Sequence, residues 1–229
     1  MKIASLFSGG KDSFLALVKA LEQDNELVSL IAIKSSNQES FMWHLPAIEF
    51  IKEQALALEM PLIIVESTGE KENELIELKQ TLVELKKKNK IEGLVAGAIE
   101  SNYQKSRIEK MCQEVGLQLI SPLWHEKPEQ ILRELLERKI KVLIVGVAAQ
   151  GLEKNWLGKE LTSESVNELI VIGKKFGVHV CGEGGEFESM VIDSKIHKKK
   201  IEIQESKIIW NKTNGILQIN KLKLVDKQK

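Results

Sequence analysis

The sequence predicts an α/β protein, and three observations carry that expectation. Short apolar runs alternate with stretches whose apolar residues recur every three or four positions, the pattern of a parallel sheet covered by helices. The runs are close to continuously apolar, as strands buried on both faces are. The carboxyl end changes character, into two β-patterned runs around Asn214-Gly215, a hairpin signal.

In chain order, residues 2–7 (KIASLF) read as a buried strand and 12–23 as a helix. LVSLIAI (27–33) is the second strand, followed by a polar loop from Lys34 to Ser40. Residues 46–59 repeat their apolar positions helically, with Pro46 suited to a first turn. PLIIVES is the third strand, 70–89 a charged amphipathic helix, and EGLVAGA (92–98) the fourth strand. Ser101 to Val115 is a helix, and LQLISPLW (117–124) the fifth strand. Right-handed crossovers follow for such a sheet.

A second block begins near Pro122, so we expect domains at 1–122 and 123–229. Pro128 starts a helix (PEQILRELLERK), KVLIVGVA is a strand, and Ser163 or Ser165 opens another helix. Ser165 and Glu168 have capping-box spacing. The stretch SKIIWNKTNGILQINKLKLV reads as a hairpin turning at Asn214-Gly215, so the smaller block is α/β with an antiparallel finish.

Composition narrows the classes. The 229 residues, 43% hydrophobic and 29% charged, suit a folded chain with a sizeable core and argue against disorder. No apolar run approaches the roughly 20 residues of a membrane span. The amino-terminal run is too short for a signal-peptide core, so a cytoplasmic protein is expected. Cys112 and Cys181 lack metal or CxxC spacing and read as buried small hydrophobes, or one as a reactive thiol. Net charge is zero, yet residues 195–229 hold ten lysines against Glu202, Glu205 and Asp226, a net of +7. That tail is either a solvated surface or a face for an acidic partner or RNA; no direct nucleic-acid binding is expected.

The string SGGKDS (8–13) ends the first strand. Two glycines let backbone approach a ligand closely, and the amides at the start of the next helix favour an anion. Ser8 and Ser13 add hydroxyls and Lys11 a charge, so the turn suits a polyphosphate. It is neither a Walker loop, because Asp12 follows Lys11 and Ser5 replaces the first glycine, nor GxGxxG. SFMWH (40–44) follows the second strand, either as a site segment or as an aromatic lead-in to a helix. In GAIESNYQKSRIE, Ser101 and Gln104 have capping-box spacing. That leaves the only tyrosine, Tyr103, and one of three arginines, Arg107, facing the sheet's carboxyl edge. CGEGGEFES crowds Glu183, Glu186 and Glu188 among Gly182, Gly184 and Gly185. Such carboxylates repel one another unless a cation binds; the alternative is a solvated acidic loop.

The SGGKDS string is similar to the SGGxDS loop of the N-type ATP pyrophosphatases, whose members include GMP synthetase, asparagine synthetase and tRNA-modifying enzymes. Together SGGKDS, SFMWH, GAIESNYQKSRIE, SPLW and CGEGGEFES, in order from about residue 3 to Asp193, resemble the diphthine–ammonia ligase family. The resemblance implies a Rossmann-like (HUP-type) parallel sheet and ATP cleaved to AMP and pyrophosphate. The substrate would be diphthine on translation elongation factor 2, a trimethylated, carboxyl-bearing histidine derivative, with ammonia closing the amide. On this likeness Ser8, Gly9, Gly10, Lys11, Asp12 and Ser13 hold the phosphates, with Asp12 the Mg2+ ligand. Ser40, His44, Gly97, Tyr103 and Gln104 complete the nucleotide site, and Lys11, Asp12, Arg107, Glu183 and Glu186 serve the chemistry. Trp124, with the acidic loop Gly182, Glu183, Gly184, Gly185, Glu186, Phe187 and Glu188, would take the substrate's cation. Phe187 and Ser189 stand where Tyr and Thr are common in the family. The chain also lacks the additional carboxyl-terminal domains of longer members, so no ammonia-handling domain is expected. Other carboxylates such as corrinoids, tRNA thiolation, or an ATP-binding sensor of universal-stress type remain as alternatives, as does a homodimer.

Overall fold

The structure, a computed structural model, describes residues 1–35, 50–67 and 75–227. The chain divides into two units. One comprises Met1–Ser8, Asp12–Ala55 and Met60–Trp124; the other comprises Gly9–Lys11, Leu56–Glu59 and His125–Lys229.

In the first unit β1 (Lys2–Leu6), β2 (Glu26–Ser35), β3 (Leu62–Ser67), β4 (Gly93–Val95) and β5 (Gln118–Ile120) form one sheet in the order β3-β2-β1-β4-β5. All its pairs are parallel. The chain steps one way from β1 to β3 and the other way from β3 through β4 to β5. Right-handed crossovers therefore put α1 (Lys11–Leu21) and α2 (Ile51–Leu58) on one face, and α3 (Ile76–Asn89) and α4 (Asn102–Val115) on the other. Strand alternation agrees: Ala4, Leu6, Ile31, Ile33 and Leu94 share a cluster with Leu78, Leu82 and Leu85 of α3 and with Ile108, Met111 and Cys112 of α4.

Several boundaries differ from the sequence reading. The fourth and fifth strands are three residues each, shorter than 92–98 and 117–124. Pro122, which has no N–H to donate to a ladder, lies in the turn that follows β5. Helix α1 starts at Lys11 and ends at Leu21, against an expected 12–23. SFMWH, with Ser40 and His44, and Pro46 lie outside the described residues. No described helix is long and apolar enough to cross a membrane. Both cysteines are free and buried; burial, then Glu109, pushes the Cys112 thiol up to about 12.

The second unit contains α5 (Pro128–Glu137), α6 (Ser163–Phe176) and a sheet of β6 (Lys141–Val147), β7 (Phe187–Asp193), β8 (Lys199–Asn211) and β9 (Asn214–Asp226), in the order β7-β6-β9-β8. This sheet is antiparallel throughout, not only in its final hairpin. Strand β7 was not expected: its first residues belong to the glycine-rich acidic string, which masked the apolar pattern behind them. The hairpin turns at Lys212-Thr213, two residues before Asn214-Gly215, with Asn211 paired to Asn214 and Lys212 in the left-handed region at φ 53°. Gly215 serves packing instead. A Cβ there would lie 2.6 Å from the Ile209 carbonyl oxygen and from the Trp210 ring. The capping box at α6 is Thr162 with Ser165, not Ser165 with Glu168: the Ser165 amide donates to Thr162 Oγ1 at 3.3 Å, and the Thr162 amide to Ser165 Oγ at 2.7 Å.

Past β7 a buried polar knot ties the sheet to its carboxyl end. His197, 4% exposed, has Nδ1 2.8 Å from Ser194 Oγ. Asp193 Oδ1 accepts from the Ser194 amide at 2.9 Å and from Lys227 Nζ at 2.8 Å. Burial lowers the His197 pKa to about 4, with Asp193 opposing and Lys227 reinforcing that shift. Unfolding restores an ordinary imidazole, so below about pH 6.5 the unfolded chain binds the extra proton. Stability from this residue is therefore complete above that pH and lost as pH falls towards 4. Urea unfolding of the second unit should show a loss of about 2 to 3 kcal/mol between pH 7.5 and pH 4.5. His197→Gln should flatten that slope; an unchanged slope would refute the assignment.

Candidate active site

Strand β1 is the middle strand of the parallel sheet, and the connections after β1 and β4 leave in opposite directions. A crevice opens at such a switch point, beyond the strands' carboxyl ends. Residues 8–13 follow β1 there, and 96–101 follow β4. Lys11, Asp12 and Ser13 form the first turn of α1, where free amides and the helix dipole favour an anion. The Ser8 amide donates to Ser13 Oγ at 3.2 Å, and the two hydroxyl oxygens lie 3.0 Å apart. Of the two glycines only Gly9 sits in the left-handed region, at φ 77°. Gly10 does not share that need.

Gly97 has a physical role that its spacing did not disclose. A Cβ built on it would meet the Asp12 carbonyl carbon and Ser13 nitrogen at 2.8 Å and the Asp12 oxygen at 2.9 Å. Backbone packs on backbone, so only glycine lets the turn keep its place. Helix α4 opens beside it with Ser101 as N-cap, its hydroxyl accepting the Gln104 amide at 3.4 Å. The capping reading of that pair therefore accounts for the Gln104 backbone. Tyr103 is 44% exposed, and the Arg107 guanidinium stands 5.1 Å from its ring centroid. Trp124 carries the Lys105 ammonium over its ring at 4.3 Å; Lys105 had drawn no attention in the sequence.

In the second unit, Gly9–Lys11 run along β7. The Gly9 carbonyl accepts the Val191 amide at 3.0 Å, and the Lys11 amide donates to Ser189 Oγ at 3.2 Å. Lys11 is only 2% exposed; its ammonium donates to the Cys181 carbonyl and stands 5.0 Å from the Phe187 ring centroid. Ser189 and the Cys181 carbonyl are contributors that the sequence reading missed. The neighbouring string CGEGGEFES was the available signal, but an unbroken β7 was needed to aim them.

The acidic loop is built around one of its own carboxylates. Glu186 Oε1 accepts the His179 amide at 3.0 Å, and Oε2 accepts the Gly184 amide at 2.8 Å. The Glu186 carbonyl accepts the Ala148 amide at 2.8 Å. Glu186 thus commits both carboxylate oxygens to amides of its own neighbourhood. Gly182, at φ 71°, leaves no room for a Cβ, which would lie 2.8 Å from the Phe187 carbonyl oxygen. Gly185 is also left-handed, at φ 84°. The Glu183 amide donates to His179 Nδ1 at 3.4 Å, and its partly exposed carboxylate lies within 4.8 Å of a His179 ring nitrogen. Glu188, on β7, pairs across to Gly146, and its Cβ lies 3.1 Å from where a Gly146 Cβ would be. Cys181 is buried, and its thiol donates to the Pro128 carbonyl at 3.2 Å.

Comparison with known proteins gives the same assignment over both halves of the chain. Residues 1–119 match the diphthamide synthase N-terminal domain, and residues 127–225 the diphthamide synthase C-terminal domain. The chain is 33% identical to the mouse protein named diphthine–ammonia ligase, over 98% of this chain and 91% of that one. It is 32% identical to the human protein of the same name, over 99% and 91%. The fission-yeast protein of that name, Schizosaccharomyces pombe, is 30% identical over 94% of this chain and 38% of its own length.

Two substitutions separate the roles of these residues. Gly97→Ala should push on the Asp12–Ser13 peptide and weaken nucleotide affinity at least about tenfold with a small change in melting temperature, read by calorimetry. Affinity equal to that of the parent would show that the close approach is not needed. Glu186→Ala should leave the His179 and Gly184 amides without their acceptor, and both should exchange hydrogen faster. Unchanged protection at the two amides would remove Glu186 from that role.

Proposed function

The chain belongs to the diphthamide synthase family, and on that premise we propose that it is an ATP-dependent, AMP-forming acid–ammonia ligase. Its substrate is diphthine on translation elongation factor 2, its co-substrate ammonia, its product diphthamide, and its place of work the cytoplasm. The observation that carries this reading is the Ser8–Ser13 turn at the switch point of the parallel sheet, with the amino end of α1 beside it.

The reaction runs in two displacements. The diphthine carboxylate oxygen attacks the α-phosphorus of ATP, the α–β bridging bond breaks, and pyrophosphate leaves with its electron pair. Charge developing on that leaving group is met by the amides of residues 9–13, the hydroxyls of Ser8 and Ser13, and the Lys11 charge. The Lys11 ammonium is held by the Cys181 carbonyl and the Phe187 face. Ammonia then adds to the acyl-adenylate carbonyl, AMP departs, and the adduct gives up a proton to form the amide. The Asp12 carboxylate, a hard oxygen donor in the first turn of α1, fits Mg2+, which would neutralise phosphate charge. We assign Gly97 to placing the turn, and Tyr103, Gln104 and Arg107 to the remainder of the nucleotide and the acyl phosphate.

In this division of labour residues 1–122 hold ATP and 123–229 receive the protein substrate. Glu183 offers its charge to the protein substrate, while Glu186 shapes the loop that carries it. The buried Cys181 speaks against a thiol-transfer mechanism.

Incubation with diphthine-bearing elongation factor 2, ATP, Mg2+ and ammonium should convert the acid to the amide by mass analysis, with AMP and pyrophosphate released in step. ADP as the nucleotide product, or intact ATP, would overturn the reading. Glu183→Gln should raise the KM for the protein substrate several-fold while ATP affinity holds, and equal losses of both would remove its assigned role. Cys181→Ala should retain turnover.

A further inference from the structure

The Trp124 indole closes a turn in which its own amide donates to the Ser121 carbonyl at 3.2 Å, just past the carboxyl end of β5. Its partly exposed ring faces the Lys105 ammonium 4.3 Å from the centroid. Lys105 lies in the first turn of α4, the helix that follows β4, and β4 and β5 are neighbours. Both residues therefore stand at the carboxyl edge of parallel strands, where open α/β sheets take their ligands. Among the described residues the indole is the partner of this ammonium, and no carboxylate joins it. The other lysine–tryptophan pair differs in each respect. Trp156 is buried, and the Lys159 above it, 4.2 Å from the ring centroid, is also held by Glu168.

An un-neutralised lysine parked on a partly exposed aromatic face is a cation site already filled. A quaternary ammonium has no N–H to donate, so an aromatic face is its natural partner. It is also less strongly hydrated than a lysine ammonium, which regains a full water shell on leaving. Resting on the ligase reading, we propose that the Trp124 ring is the seat of the substrate's trimethylammonium group. Lys105 is an internal competitor that occupies this seat until the substrate displaces it. A filled seat lowers apparent affinity by the fraction of time it is free, by the same factor for every cation that needs the ring. Lys105 is in this sense a residue that sets the affinity of the seat, without a part in the chemistry.

The test uses the full chain and tetramethylammonium as probe, a cation with no carboxylate that could pair with Lys105. The indole N–H resonance of Trp124, identified by its loss in Trp124→Phe, should move saturably with tetramethylammonium and not with sodium at equal ionic strength. Lys105→Met should lower the midpoint by about two- to fivefold, the scale of an exposed cation–π contact, and Lys105→Arg should not lower it. A resonance that stays still in both parent and Lys105→Met, or a midpoint no lower in Lys105→Met, overturns the competitor. With diphthine-bearing elongation factor, Lys105→Met should lower KM by a similar factor and keep kcat; an unchanged KM overturns the assignment of the seat to the substrate. Absence of amide from every variant would sink the ligase reading alone, because the tetramethylammonium titration judges the seat by itself.

Discussion

Two backbones touching where no side chain fits is the constraint on which the parallel sheet's site depends. Gly97, two residues past the end of β4, lies against the Asp12–Ser13 peptide so closely that one methyl group would collide with three of its atoms. The contact ties the connection after β4 to the connection after β1 at the point where the sheet reverses its order. It sets where the first turn of α1 stands, and through it the direction of the amides that an anion would meet. Hydroxyl contacts between Ser8 and Ser13 then close the turn on itself. The geometry costs conformational freedom at few positions, chiefly the left-handed Gly9.

The second unit applies the same logic with a strand as its base. Strand β7 offers Val191 and Ser189 to Gly9 and Lys11. The Lys11 charge, almost wholly removed from solvent, is offset by a carbonyl dipole and an aromatic face. A buried ammonium needs such partners, because desolvation would otherwise favour its neutral form. Glu186 solves the mirror-image problem in the adjacent loop, folding its carboxylate back onto two amides. Of the three clustered glutamates, then, one builds the loop, one projects from a strand, and Glu183 brings its carboxylate near the His179 ring. Crowding into six residues concealed three different duties.

Sequence and structure part where short-range pattern competes with long-range contact. Asn214-Gly215 carries a strong local turn signal, yet the chain turns two residues earlier because Gly215 is needed under Trp210 and beside the Ile209 carbonyl. Ser165 caps its helix as the inner partner of Thr162, since a threonine one turn upstream already offers its hydroxyl. Strands β4 and β5 stop after three residues because their apolar continuation is used for turns at the site.

By itself the sequence determined the alternation of strands and helices, the position of the phosphate-shaped turn after the first strand, and the family. These follow from hydrophobic period, glycine placement and local capping, all of which act over a few residues. Tertiary structure alone decided that β7 exists and underlies Gly9–Lys11, that Gly97 is a packing glycine, and that Lys105 sits on Trp124. Each of these joins residues distant in the chain or set by a turn's exact course, and distance in space is what a linear pattern does not encode.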